Sequence, residues 1–263
     1  MGKYYISVDL EGVACVIGAP GKGLADSYDY KFACEQGTRE ALAVIRGLGE
    51  NNEIIVWDSH GTGYNLNYRS FPENVKFVLG GGSRKRFPGI DSSFDGVIFI
   101  GYHAYDTQKA TLAHVYSSAT FQHYKINDKM VGEMQIDAAI AGKNGVPVIF
   151  VASDNTCVSQ AKESFGDIET CITKEALTWN SCISKHPSLV EREIEEGVRR
   201  AVTNNKKYSP YTIPEPFDLE VRYKRIEYAL GSAYHDIENK PFDFIDAYTR
   251  KGTMAKIEQI FEF

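Results

Sequence analysis

One design recurs along this chain and constrains its fold more than any other feature: an apolar run of strand length that ends in an acid or a histidine. Tyr4-Tyr5-Ile6-Ser7-Val8 leads into Asp9-Leu10-Glu11-Gly12, Ile54-Ile55-Val56-Trp57 into Asp58-Ser59-His60-Gly61, and Val97-Ile98-Phe99-Ile100 into Gly101-Tyr102-His103-Ala104. A fourth run, Val148-Ile149-Phe150-Val151, reaches Asp154. Continuous apolar strands alternating with helical stretches are buried on both faces, as in a parallel sheet covered by helices. The fold class is therefore α/β, with a mostly parallel central sheet and helices on both faces. Open sheets of this kind bind ligands at the carboxyl ends of their strands. Asp9, Glu11, His60 and His103 all fall there.

The intervening segments supply the crossovers. Apolar spacing predicts helices from Asp26 or Ser27 to about Gly49, over 130–144 with Glu133 near its start, over 157–164 and over 188–204. Residues 76–79 and 170–172 read as short strands, and 111–116 with 120–126 as a hairpin. Asp154 is as well suited to cap the following helix as to bind an ion, and stays outside the site. Pro210, Pro214 and Pro216 mark a connection. They divide a catalytic α/β domain, 1–210, from a small α+β portion, 211–263, with a strand at 217–223 and a helix at 243–254, serving packing or assembly. The run Gly80-Gly81-Gly82-Ser83-Arg84-Lys85-Arg86 has the residues of an anion cradle, but no strand-loop-helix pattern follows it, so it reads as a connection or subunit contact.

Composition narrows the partners. A net charge of -6 lacks the basic footprint that nucleic acid or an anionic membrane requires. Five cysteines, an odd number without a C-x-x-C pair, indicate reduced thiols and a cytoplasmic protein. No basic segment and apolar run open the chain, so export is not expected.

In a strand, residues two apart share a face, which aims Asp9 and Glu11 at one point. Taken alone, Asp9 caps a turn and Glu11 is solvated, and a single histidine is a loop or core residue. Three successive strands ending in Asp, Glu or His make a cluster, because these are residue types that bind zinc. With Glu133, five ligands are available. That is too many for one catalytic zinc with an open position, and it suits two metals sharing a carboxylate.

The motifs S-V-D-L-E-G at 7–12, D-S-H at 58–60, G-Y-H-A at 101–104, His114 and I-N-D-K-x-V-G-E at 126–133 resemble those of the DppA-type zinc D-aminopeptidases of bacteria. The resemblance runs to roughly residue 210. It implies a two-zinc site bridged by Asp9, with Glu11 and His103 on one ion and His60 and Glu133 on the other. It also implies a catalytic role for His114, a homo-oligomer that is a decamer, and release of N-terminal D-residues from short peptides. Trp179 stands near a position where the family tends to carry Arg, and is either pocket surface or core. Two other classes share these residue types. One is a two-metal phosphoesterase or other amidohydrolase, for which Arg84 to Arg86 are the candidate phosphate cations. The other is a non-catalytic oligomer that binds metal or peptide.

Overall fold

The computed structural model describes residues 1–19, 22–27, 29–49, 51–81, 85–105, 109–204 and 207–261. Its main sheet is built from β1 (Lys3–Val8), β2 (Glu53–Asp58), β3 (Val75–Val78), β4 (Gly96–Ile100), β7 (Val148–Asp154), β8 (Glu169–Thr178) and β9 (Ser181–Ser184), in the order β3-β2-β1-β4-β7-β8-β9. All neighbours are parallel except β9, which runs antiparallel to β8 at one edge. The alternation of β1 divides its side chains between two cores. Tyr5 joins one, and Tyr4, Ile6 and Val8 join the other.

Helices α1 (Tyr30–Leu48) and α4 (Pro187–Asn204) cover the second core with Val44, Ile45, Ile194 and Val198. Helices α2 (Glu133–Lys143) and α3 (Asn155–Phe165) cover the first with Ile136, Ile140, Cys157 and Ala161. This is the mostly parallel α/β arrangement that the apolar runs require. Asp29, rather than Asp26 or Ser27, caps α1 by accepting from the Phe32 N–H at 3.1 Å. Asp154 caps α3 in the same way, accepting from Cys157 N–H at 2.8 Å.

The second sheet is antiparallel, ordered β11-β12-β10-β5-β6, from β5 (Phe121–Ile126), β6 (Lys129–Val131), β10 (Phe217–Tyr223), β11 (Asp243–Asp246) and β12 (Thr249–Met254). Strands from 211–263 thus share a sheet with strands from the middle of the chain. The short helix α5 (Ile226–Leu230) lies beside them.

Three local expectations change. The hairpin partner of β5 is β6 and not 111–116, which is irregular, so α2 begins at Glu133 rather than Met130. The helix expected at 243–254 is the hairpin β11–β12, turned where Asp246 accepts from the Tyr248 N–H. The strand at 170–172 extends to ten residues as β8. Of the glycine-cation run, 82–84 lie outside the described residues.

Candidate metal centre

Close backbone contact between the ends of β1 and β4 creates the site. Asp9 N–H donates to Ile100 O at 2.8 Å and Gly12 N–H to Gly101 O at 2.7 Å. Gly101 has φ +72°, and a side chain there would place its Cβ 2.0 Å from Asp9 O. Only glycine tolerates both conditions. The turn after β1 is held from below by Lys174, whose buried ammonium donates to the carbonyls of Glu11, Val13 and Val16 at 2.5, 3.0 and 2.6 Å. The main-chain contact between β1 and β4, with the Lys174 ammonium beneath it, therefore presents Asp9 and Glu11 at the sheet edge.

Two groups of potential ligands result, each with its donor atoms within 4.8 Å of one another: Asp9, Glu11 and His60, and His103, His114 and Glu133. His60 Nε2 lies 3.1 Å from Glu11 Oε1, and His103 Nε2 lies 3.4 Å from Glu133 Oε2 and 3.8 Å from Asp9 Oδ2. All six sequence-derived residues thus converge. Their short contacts pair Glu11 with His60 and His103 with Glu133, whereas the resemblance pairs Glu11 with His103 and His60 with Glu133. Asp9 lies between the groups under either pairing.

Each imidazole is oriented through its Nδ1. His103 Nδ1 faces Ala104 O at 3.1 Å and His114 Nδ1 faces Leu112 O at 2.7 Å, so in both Nδ1 carries an N–H and Nε2 is the ring atom turned to the cluster. The His60 ring lies 2.9 Å from the Tyr30 hydroxyl, which donates to Asn65 Oδ1 at 2.6 Å and so accepts from His60. Asn65 in turn donates to Asp58 Oδ1 at 2.7 Å. Asp58 also receives the N–H groups of Asn65 and Leu66 and the Tyr68 hydroxyl. It anchors the loop behind His60 and takes no part in the ligand cluster. Tyr30 and Asn65 escape a sequence reading because nothing in their local pattern links them to His60.

His114 rides on an irregular loop. Leu112 and Tyr116, two residues to either side, hold left-handed φ of 56° and 49°, costly for non-glycine residues and sustained only by surrounding contacts. Trp179 supplies two: its carbonyl accepts from Leu112 N–H at 2.8 Å, and its indole N–H donates to Ala113 O at 2.9 Å. Trp179 packs against both cores and clamps this loop instead of lining the cavity. The Thr111 N–H, donating to Asp154 Oδ2, adds a third tie.

Burial and close contact between acids and imidazoles shift the charges of the cluster strongly. Burial opposes charge on His60 and His103, but Glu11 and Glu133 outweigh it and raise their pKa values to about 9 and about 10. Glu133 is buried yet held down at about 2 by His103. Burial and the adjacent Glu11 push Asp9 well above its usual range. Burial and His103 lower His114 to about 4, so its ring is neutral, stacked on His103 with centroids 3.8 Å apart. Asp9 Oδ2 and Glu11 Oε2 are buried with no hydrogen-bond partner among the described residues. Buried carboxylate oxygens beside imidazole Nε2 atoms turned toward them form a donor set that fits zinc. The cluster opens into a cavity of about 410 Å³, whose lining also includes Leu24, Asp26, Arg86, Tyr116 and Ser117.

The chain is similar over 276 residues to the D-aminopeptidase of Bacillus subtilis, at 29% identity and with 97% of each sequence covered. Its fold matches that of the zinc-dependent D-aminopeptidase DppA from Bacillus subtilis, a self-compartmentalizing protease, with a TM-score of 0.86 at 24% identity, covering 99% of this chain and 94% of that one. The model of peptidase family M55, described as D-aminopeptidase, matches residues 2–262. The chain therefore belongs to the peptidase M55, or D-aminopeptidase, family.

Proposed function

We propose that this protein is a zinc-dependent aminopeptidase that releases N-terminal D-residues from short peptides, using two zinc ions held by Asp9, Glu11, His60, His103 and Glu133. The observation that carries this reading is the pair of buried oxygens without a hydrogen-bond partner among the described residues, Asp9 Oδ2 and Glu11 Oε2, in a cluster whose imidazole Nε2 atoms face carboxylates, His60 toward Glu11 and His103 toward Glu133 and Asp9. Asp9, with His60 and Glu11 on one side and His103 on the other, is the carboxylate that would be shared by the two ions.

When bound, zinc supplies Lewis acidity toward a peptide carbonyl and acidifies water near neutral pH. The chain's own residues do the remainder. The cavity is large enough for a short peptide and too small for a folded protein. His114, neutral and with Nε2 free, takes a proton from the attacking water and returns it to the departing amine. Its Nδ1–H, tied to Leu112 O, fixes the tautomer that this transfer needs.

Family membership and the self-compartmentalizing nature of the structural relative support a homo-oligomer, which we take to be a decamer. Residues 211–263 then serve assembly as well as packing. The five cysteines are unpaired, in keeping with a cytoplasmic location, and no helix among the described residues is long and apolar enough to cross a membrane.

The test is metal analysis of the purified protein with a panel of D- and L-aminoacyl dipeptides. Two zinc ions per chain and turnover confined to the D-series are expected. Faster turnover of a generic phosphate ester than of any peptide would replace this reading with the phosphoesterase one, and zinc binding without hydrolysis would leave a binding protein.

A further inference from the structure

The cation run after the three glycines is not absorbed by the metal centre, yet its last member reaches the cavity. Arg86 Nε and Nη2 donate to Asp137 Oδ1 and Oδ2 at 2.8 and 2.6 Å, and the Tyr102 hydroxyl donates to the same Oδ2 at 2.6 Å. The guanidinium lies over the Trp57 ring at 4.3 Å, with the Tyr116 and Phe261 rings at 5.5 and 5.6 Å. A fork held by a bidentate carboxylate and an aromatic face is preorganised, and little entropy is lost when it binds a further group. Nη1 has no hydrogen-bond partner among the described residues.

Arg86 also stands where two spaces meet. It lines the 410 Å³ cavity of the metal cluster and a second cavity of about 500 Å³ bounded by Ile90, Ile140, Asn144 and Phe261. It is the one Lys or Arg on the described lining of the first cavity. Its distance from the chemistry is one side chain: Tyr116, over whose ring it lies, donates its N–H to Glu133 Oε2 at 2.6 Å. The enclosed Tyr116 hydroxyl has no partner among the described residues, leaving a second unmet polar group on this wall.

We propose that Arg86 is a specificity-determining residue that binds, through its Nη1 edge, a carboxylate of the peptide on the leaving-group side of the bond to be cut. This inference rests on the aminopeptidase reading above and names the class of peptide that the site takes: one with an anionic group just beyond its first residue. A short peptide offers two such carboxylates, its own C-terminus and an acidic second side chain. Asp137 holds the fork and does not touch substrate. Paired with it, Arg86 attracts an anion mainly through directed N–H donation, so a carboxamide loses much of the interaction.

The experiment compares kcat/KM for D-Ala-D-Ala with its C-terminal amide, and for D-Ala-D-Glu amide with D-Ala-D-Gln amide. The acid is expected to be favoured about tenfold or more, equivalent to about 1.4 kcal/mol, in one of the two comparisons, with the difference in KM. Whichever comparison shows it identifies the source of the carboxylate. The double variant Arg86→Met/Asp137→Asn, which leaves no buried charge unpaired, should bring the ratio to within about twofold of one. Arg86→Lys keeps a cation opposite Asp137 and guards against loss of the fold, and it should lower the ratio at least about threefold because a point charge replaces the fork. Each ratio is internal to one enzyme, so partial loss of active protein cancels. Ratios near one in both wild-type comparisons, or a preference that survives both variants, would overturn the proposal while leaving the aminopeptidase reading intact. Failure of the wild-type protein to cleave any of the four peptides would overturn that reading and this one with it.

Discussion

The two halves of the ligand cluster are built by different means. Asp9, Glu11 and His60 stand at the ends of neighbouring parallel strands, and His60 is backed by a relay through Tyr30, Asn65 and Asp58. In the other half His103 also follows a strand, but Glu133 opens a helix and His114 hangs on a loop with two strained residues and a tryptophan clamp. The first half inherits its position from sheet register, and the second depends on tertiary contacts that could be lost one at a time. Substitutions behind the first half should therefore weaken metal binding. Those behind the His114 loop of the second should lower turnover at constant metal content.

The largest test is at the boundary. Asp9→Ala should remove both ions and abolish activity, whereas Glu11→Ala should mainly release one, as measured by metal content after gel filtration. Equal loss from both variants would erase the distinction between bridge and single-ion ligand. Next, His114→Ala should keep its zinc and lose about 10²–10⁴-fold in kcat. Loss of an ion in that variant would make His114 a ligand alongside His103 and Glu133, and near-normal turnover would remove it from the mechanism.

Smaller effects probe what lies behind each half. Tyr30→Phe leaves the His60 N–H without its acceptor and should weaken metal affinity about 10–100-fold, read by competition with a chelator. Trp179→Phe removes the indole donor to Ala113 O and should lower kcat about tenfold, or about 1.4 kcal/mol in the barrier, with zinc content unchanged. If Trp179→Phe loses metal and Tyr30→Phe does not, the comparison is inverted.

Proton linkage gives the finest test. In metal-stripped protein His60 and His103 are held up at about 9 and about 10, because Glu11 and Glu133 outweigh the opposing effect of burial. A raised imidazole contributes stability that is fully present below the unfolded value of about 6.5 and is lost as pH rises through the folded value. The Tm of stripped protein should thus fall from about pH 7 to about pH 10. Zinc-loaded protein, whose imidazoles carry metal instead of protons, should show a flatter profile. Parallel curves would mean that these histidines are not ligands.

How much of this was legible in the sequence depends on whether the signal is local. Strands β1, β2, β4 and β7 are legible because their central residues are almost all apolar and buried on both faces, and the polar ends of β1, β2 and β4 lead to Asp9, Glu11, His60 and His103. The stretch 111–116 has the composition of a strand, but left-handed turns at Leu112 and Tyr116 prevent it, and their partners are distant in sequence: Trp179 at Leu112 and Glu133 at Tyr116. At 243–254 apolar residues at helical spacing misled, because pairing of β12 with β10 decides the outcome. His114 was reached only through resemblance. In the sequence Arg86 is only one of a charge run, because its partner Asp137 is distant along the chain and lies within a helix.

The contact at Gly101 has a consequence for how this site tolerates change. Because main chain touches main chain between Asp9 and Gly101, the separation of the first strand end from the His103 strand end is set by peptide dimensions and not by the sizes of packed side chains. Core residues such as Val97 or Ile6 are then free to be exchanged at a cost in melting temperature alone, while the gauge of the metal centre holds. Any residue larger than hydrogen at position 101 would change that gauge directly, and no repacking elsewhere would restore it.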